Sequence, residues 1–274
     1  MRRAAALAAL ALLAAGCAST AKPHMPRLPT PGGNVVRIGV THLPRRRELR
    51  HGRVRLRFVK VEPHRALQLF RRGKLDEAPV PLGDIQAVLR DPELRPAVRI
   101  RRLRAVDLVV CVRGGALDRL PELRRVYAET ADRADYQALV PELQAPAAES
   151  LTEPASGFRA TPVAFGRARK QIEKLPRVAV RFAEPADPHL AYGAHLLVAS
   201  WRDLGLGAYF AKGRPDARFE RMFDPSPRPG LHMIPIAWAV DARLVSPRLQ
   251  GWREDDHGRI DYTGVRPRVP SQSP

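Results

Sequence analysis

The sequence is poor in cysteine, in long apolar segments and in the short motifs of common enzymes. Two cysteines among 274 residues exclude a framework of several disulfide bonds. The apolar run at residues 4–15 has 12 residues, whereas a helix that crosses a membrane needs about 20. No G-x-S-x-G, H-E-x-x-H, P-loop or C-x-x-C pattern occurs, and the eight histidines are scattered. We therefore expect a protein that is not an enzyme and that holds no cofactor and no metal.

One cluster of side chains has the composition of a metal site. Glu254, Asp255, Asp256 and His257 are consecutive and are followed by Gly258. An Asp-His-Gly sequence between strand-like segments is more typical of a turn. We predict a turn here in preference to a metal site.

Residues 1–33 have the pattern of an export signal followed by a tether. Arg2 and Arg3 precede the apolar run, and small residues lead to Cys17. The sequence Leu-Ala-Ala-Gly-Cys resembles a bacterial lipobox, which implies cleavage after residue 16 and diacylation of Cys17. An ordinary secretory cleavage site with a chance cysteine is the alternative. Residues 18–33 contain four prolines and two glycines, which favours a tether.

The chain carries a large excess of positive charge, mostly from arginine. The formal net charge is +19, or +17 once the two arginines of the signal are removed. Such a charge attracts nucleic acid, anionic lipid or acidic polymers. An exported protein rarely meets nucleic acid, so we expect no nucleic-acid partner. Because the charges are spread along the chain, a solvated arginine-rich surface is the simplest interpretation, and an anionic envelope partner is the alternative.

Residues 175–207 predict one strand, loop and helix unit. Val178, Val180 and Phe182 alternate with other residues, as in a half-buried strand. Asp187 and Pro188 then suit the N-cap and first position of a helix, and Gly205 suits its end. A strand at residues 206–210 can follow, so we expect a βα unit in a parallel sheet.

Other segments extend this α/β pattern on both sides. Strands are predicted at 34–41 and 53–61, in two runs within 98–112, and in the apolar stretch 231–245. Helices are predicted from Pro63 to Gly73 and at 83–90, 120–140 and 165–175. Residues 44–51 are expected to form a basic loop, and residues 213–230 to be irregular. A short strand is expected at 260–262.

Five segments, taken in order, resemble the extracellular solute-binding proteins of family 5, the peptide- and nickel-type receptors of ABC importers. They are residues 32–40 (GGNVVRIGV), 65–79 with RALQLF and GKLDEAP, 123–133 ending in Ala-Asp-Arg, 175–207, and 234–252. The resemblance implies an α/β, two-lobed periplasmic-binding-protein-like fold. Residues 44–52 stand where the family has a long first-lobe region, so the expected first lobe is reduced. No match to the family's crossing segment occurs between residues 210 and 229.

The resemblance also implies how the chain is divided. We expect a signal peptide at 1–16, a lipid-anchored tether at 17–33, a reduced lobe I at 34–112 and lobe II at 113–230. Residues 231–270 would return to lobe I and form a C-terminal tail. The crossings between lobes are expected near residues 109–113 and 231–238.

The resemblance places four candidate ligand-binding residues beside these crossings. Arg113 follows the first crossing, and His232, Trp238 and Asp241 flank or lie on the second. A peptide receptor needs a carboxylate, a cation and aromatic groups along its ligand. Core packing is the alternative for Trp238, and simple solvent exposure is the alternative for Asp241.

The implied function is solute capture at a membrane surface. We expect a monomeric lipoprotein, anchored to the bilayer through acylated Cys17 on the extracytoplasmic face, that captures a peptide or other small solute for an ABC permease. The alternative is a truncated, non-transporting envelope lipoprotein that uses its arginine-rich surface on anionic lipid or polymer.

Overall fold

The computed structural model describes residues 34–140, 150–151 and 159–268. Cys17 and the predicted signal and tether lie outside the described residues. The helices are α1 Pro63–Arg71, α2 Ile85–Arg90, α3 Ala116–Arg119, α4 Pro121–Glu129, α5 Arg133–Ala138, α6 Phe165–Ile172 and α7 Pro188–Asp203. Two 3₁₀ turns lie at Leu82–Asp84 and Arg95–Ala97. No helix of the described residues is long and apolar enough to span a bilayer.

The strands are β1 Val35–Val40, β2 Glu48–His51, β3 Val54–Lys60, β4 Glu77–Pro79, β5 Val98–Cys111, β6 Ala179–Ala183, β7 Gly207–Phe210, β8 Ala217–Phe223 and β9 Met233–Val245. Four short strands follow: β10 Leu249–Gln250, β11 Arg253–Glu254, β12 Ile260–Asp261 and β13 Arg266–Pro267. They form two small antiparallel ladders, β10 with β13 and β11 with β12.

One large sheet runs through the described part of the molecule, in the order β2-β3-β1-β4-β9-β5-β8-β6-β7. Its centre is the antiparallel pair of long strands β5 and β9. The strands within residues 34–97 lie on one side of this pair, and we call these residues the first half. The strands within residues 112–223 lie on the other side, and we call these residues the second half. A single α/β sheet therefore links both halves through two strands.

Two strands of the first half, β1 and β3, lie where the alternating pattern predicts them. β1 and β3 pair in parallel, with Ile38 opposite Phe58. Val36, Ile38 and Leu56 are buried under the C-terminal residues, where the Phe58 and Tyr262 rings meet edge to face at 5.7 Å. On the other face a Cβ at Gly39 would lie 3.0–3.2 Å from Leu75, Glu77 and Val61, so a side chain there would have to displace its neighbours.

The second half confirms the predicted βα unit. Asp187 caps α7 by accepting a bond from the His189 amide at 2.8 Å, and Pro188 is its first residue. Gly205 ends the turn at φ +96°, a conformation that favours glycine. β6 then pairs with β7 in parallel. Trp201 of α7 is fully buried and stacks on Phe182 at 5.4 Å and against Tyr127 at 5.0 Å.

Four sequence predictions need correction. Residues 213–230 contain β8, which is held by β5 on one side and β6 on the other. The basic loop at 44–51 ends in β2, which forms a hairpin with β3. Residues 98–112 hold one strand of 14 residues rather than two runs. The helix predicted at 120–140 is two helices, because Asp132 starts α5 by accepting a bond from the Asp135 amide at 3.1 Å.

Candidate functional site

A groove opens at the carboxyl ends of β1 and β3. Because these strands are parallel, Thr41 and His42 follow β1 beside Val61 and Glu62, which follow β3. Ala186 and Pro188 of the second half close the opposite side. The groove has a volume of about 580 Å³, within the roughly 300–1,000 Å³ of small-molecule sites. In open α/β sheets, ligands bind outside the carboxyl ends of the strands.

The groove is lined by more cations than anions. Lys60 and Arg65 line it, against the single carboxylate of Glu62. Neither Lys60 nor Arg65 has an ion-pair partner within the described ranges. The N-terminus of α1 also borders the groove and carries no side-chain cap, so its free amides add positive potential. The groove is therefore suited to a solute that carries a negative group.

The two halves also touch directly through Gly83 and Tyr192, both of which are exposed. The Tyr192 ring of α7 lies against Gly83, where an added Cβ would come within 2.6 Å of the ring. Beside it, Leu82, Tyr136 and His189 border a small cavity. The free space in this cavity is about 10 Å³, room for about one water molecule. This cavity is too small for a solute, whereas the groove is large enough. Two further pockets, of about 440 and 360 Å³, lie beside Leu123 and Pro176 and beside Ala131 and Val163.

The floor of the small cavity is a buried charge network. Asp107 of β5 accepts bonds from Arg221 of β8 at 2.7 and 3.1 Å and from the Tyr136 hydroxyl at 3.0 Å. Burial, and next the Asp107 charge, raise the pKa of Tyr136 well above its ordinary value. Burial lowers the pKa of the neighbouring His189 imidazole. The network ties α5 to β5 and β8 next to the contact between the halves.

A second charge network lies under the C-terminal residues. Glu77 of β4 is fully buried and accepts bonds from Arg243 at 2.9 Å, the Trp252 indole at 2.9 Å and the Tyr262 hydroxyl at 3.2 Å. Arg243 also pairs with Asp241 at 2.7 Å. Burial, followed by the hydrogen bond to Asp241 and its charge, raises the pKa of Glu254 to about 8. These contacts hold the C-terminal residues on β4 and β9.

The structure divides the four predicted ligand-binding residues between separate places. Arg113 and His232 are exposed at one end of the β5–β9 pair, where the Cys111 amide donates to the His232 carbonyl at 2.9 Å. Trp238, 5% exposed, packs among Val106, Leu108, Val110 and Met222 on β5 and β8 and also borders the small cavity. Asp241 belongs to the second charge network. At about 3.3 Å per residue, the strand keeps Asp241 roughly 30 Å from His232. The four residues do not form one cluster.

The groove residues were not predicted from the sequence. The sequence analysis assigned no role to His42 or Lys60, and it placed Arg65 only within a predicted helix. The available signal was the pair of predicted strands at 34–41 and 53–61, whose carboxyl ends become neighbours only if the strands pair in parallel. Asp107 was overlooked within an apolar run, and Arg221 within residues interpreted as irregular.

The predicted turn at 254–258 carries the one group of metal-type side chains found among the described residues. Ligand atoms of Asp255, Asp256 and His257 lie within 4.8 Å of one another. The His257 ring nitrogens are already bonded to Asp224 and Asp256 at 2.9 Å each. The hydrogen bond to Asp224 is the main cause of a raised pKa of His257. As arranged, the imidazole bridges carboxylates and links the end of β8 to the turn.

The fold is similar to solved structures of bacterial binding proteins. The Escherichia coli murein tripeptide binding protein MppA matches with a TM-score of 0.62 at 12% identity, over 79% of this chain and 58% of that chain. Haemophilus influenzae OppA in complex with the peptide RPPGFSPFR matches with a TM-score of 0.62 at 13% identity, over 79% and 59%. Campylobacter jejuni NikZ in complex with Ni(L-His) matches with a TM-score of 0.54 at 12% identity, over 73% and 58%.

These likenesses confirm the predicted α/β, periplasmic-binding-protein-like fold. The chain spans less than two thirds of the length of the structures that it matches. No protein-family model matches the sequence, and no curated protein matches it.

Proposed function

We propose that this protein captures a small solute or a peptide in the groove between its two halves. The observation that carries the proposal is the groove of about 580 Å³ at the carboxyl ends of β1 and β3, in a fold shared with proteins described as binding a murein tripeptide, a peptide and Ni(L-His). The second half supplies the opposing wall through the loop before α7. Closing and opening of the halves would then admit and retain the solute.

The lining of the groove suggests the chemistry of the solute. Lys60 and Arg65 are cations without an ion-pair partner among the residues that the structure describes, and a carboxylate of a peptide would pair with them. A neutral solute would leave Lys60 and Arg65 without a negative partner. A solute with at least one carboxylate is therefore favoured.

The setting of this activity is also a proposal. Cleavage before Cys17 and its acylation would anchor the chain at the extracytoplasmic face of the membrane. The partner would be an ABC permease that accepts the solute, and the receptor would act as a monomer without catalysis and without nucleic acid. Residues 34–112 and 113–230 would act as lobes I and II, with 231–270 returning to lobe I. Arg113, His232, Trp238 and Asp241 stay predictions from the resemblance; none of them lines the groove, so the proposed site does not include them.

Isothermal calorimetry on the purified chain tests the proposal directly. Tripeptides, free amino acids and Ni²⁺ are titrated into the wild type and into a Lys60→Met, Arg65→Met variant. We expect a carboxylate-bearing solute to bind and to lose at least tenfold in affinity in the variant. A control variant, Lys170→Met with Arg177→Met, removes equal charge from exposed positions outside the groove. Absence of heat with every solute, in wild type and variants alike, would contradict solute capture.

A second candidate function follows from the contact of Tyr192 with Gly83. This contact joins the halves at an exposed point, and the adjoining cavity between the halves holds about one water. A receptor relative that has lost solute capture would have such a closed centre and would act only by contact with the envelope. Retention of lipid on Cys17 together with the absence of any bound or titratable solute would favour it.

A further inference from the structure

Four arginines lie together on one face of the sheet edge formed by β2, β3 and β1. The strand register places Arg37 directly opposite Arg57, and Arg55 directly opposite Arg50. Residues directly opposite each other on paired strands point to the same face. Arg55 and Arg57 are two residues apart on β3, so all four guanidinium groups share this face. We call this set of four residues the arginine face.

The arginine face is open to solvent. The opposite face of the same strands carries Val36, Ile38, Leu56 and Leu49 and is covered by the C-terminal residues. On the face that carries the arginines, Leu75 and Val61 cover only the carboxyl end of β1, next to Gly39. Arg50, Arg55 and Arg57 are exposed, and Arg37 is half-buried.

The charges on this face are poorly neutralised. Arg57 has Glu48 at 3.8 Å, with both side chains largely exposed. Within the described ranges, Arg37, Arg50 and Arg55 have no ion-pair partner. Like charges directly opposite each other on neighbouring strands destabilise a sheet. A partner that supplies several negative charges in one plane would relieve this repulsion.

We propose that the arginine face docks on an anionic lipid bilayer. A bilayer presents a flat array of phosphates, and a guanidinium group binds phosphate through a planar fork of donors. The attraction of a cluster of cations to an anionic leaflet acts within a Debye length of the surface. Val35 and Glu48 are the other side chains of these rows, so the face offers no aromatic platform for the bases of a nucleic acid.

The position of the face in the chain agrees with this partner. β1 begins at Val35, in the same row as Arg55. Sixteen residues, 18–33, separate this strand from Cys17, the proposed site of lipid attachment. An anchor there would keep the first strand, and with it the arginine face, near the membrane. The docking proposal does not depend on solute capture in the groove.

Vesicle sedimentation of residues 17–274 with Cys17→Ser, which carry neither the apolar signal nor the lipid, tests docking without an anchor. The vesicles contain either phosphatidylcholine alone or an equal mixture with phosphatidylglycerol, at low and high sodium chloride. We expect binding to the anionic vesicles only, and loss of binding at high salt, because screening weakens exposed charges. Binding that resists salt, or binding equal on both vesicles, would overturn the proposal.

Two charge-matched variants then locate the binding surface. The face variant changes Arg37, Arg50, Arg55 and Arg57 to Gln, and the control variant changes the exposed residues Arg95, Arg119, Arg177 and Arg214 to Gln. We expect the face variant to lose at least tenfold in vesicle affinity and the control about twofold. Equal losses would mean that diffuse net charge binds the bilayer, which overturns the proposal.

Two further measurements complete the test. The single change Arg55→Glu, in the middle of the face, should weaken binding severalfold, and circular dichroism checks that each variant is folded. A single-stranded oligonucleotide that binds the face more tightly than the vesicles do would assign the surface to nucleic acid instead. Calorimetry with the solutes of the groove should be unchanged in the face variant, so failure of docking and failure of solute capture are separate results.

Discussion

Asp107 is the residue on which the centre of the molecule depends most. Its carboxylate is 3% exposed and is shared between Arg221 and Tyr136. Removing one partner of a buried ion pair leaves the other charge without compensation, which costs about 3–5 kcal/mol. Asp107→Ala should lower the free energy of unfolding in urea by this amount. Asp203→Ala, at an exposed site, should stay within about 0.5 kcal/mol; equal effects of the two changes would contradict this account of the network.

Glu254 makes stability depend on pH. Its pKa rises from 4.5 to about 8 in the folded protein, so the folded state binds the proton more tightly than the unfolded state. The resulting stabilisation is complete below the ordinary pKa of glutamate and is lost as the pH rises through the folded value. Urea unfolding from pH 4.5 to 9 should therefore show declining stability. Glu254→Gln should flatten this decline, and an unchanged profile would exclude Glu254 as its source.

At the scale of elements, Gly83 and α7 set how closely the halves approach. A side chain at Gly83 would overlap the Tyr192 ring, so Gly83→Leu should push the halves apart. Spin labels at the exposed positions Gln68 and Ala199 measure this separation by pulsed electron resonance. We expect a longer distance in Gly83→Leu and its recovery when Tyr192→Ala is added, since the second change removes the overlap. An unchanged distance in Gly83→Leu would mean that the ring moves instead.

The elements that were predicted correctly are those whose signals are local. The Asp187-Pro188 start of α7 and the Gly205 stop are read from consecutive residues, so the βα unit was predicted in place. β8 was missed although Ala217 and Phe219 alternate with Arg218 and Glu220 as in a half-buried strand, because the prolines and glycines on either side indicated irregular structure. Its place between β5 and β6 is set by pairing, and so is the position of the groove. Neighbouring strand ends are a property of the sheet and not of either strand alone.

For the whole molecule, the decisive question is attachment to the membrane. If Cys17 is acylated, cells grown with radiolabelled palmitate should yield a labelled protein in the membrane fraction. Cys17→Ser should lose the label, because the sulfur that carries the lipid is absent. A wild-type protein without label would contradict the lipobox prediction and favour an ordinary secretory signal.

The place of β9 in the sheet sets the order in which the chain can fold. β9 lies between β4 and β5, yet about 120 residues separate the end of β5 from its start. Until residues 233–245 are available, β4 and the outer part of β5 have unpaired edges, and such edges invite aggregation. Pairing across so long a separation is slow. A chain crossing a membrane from its N-terminus would therefore complete this sheet only after residues 233–245 have emerged.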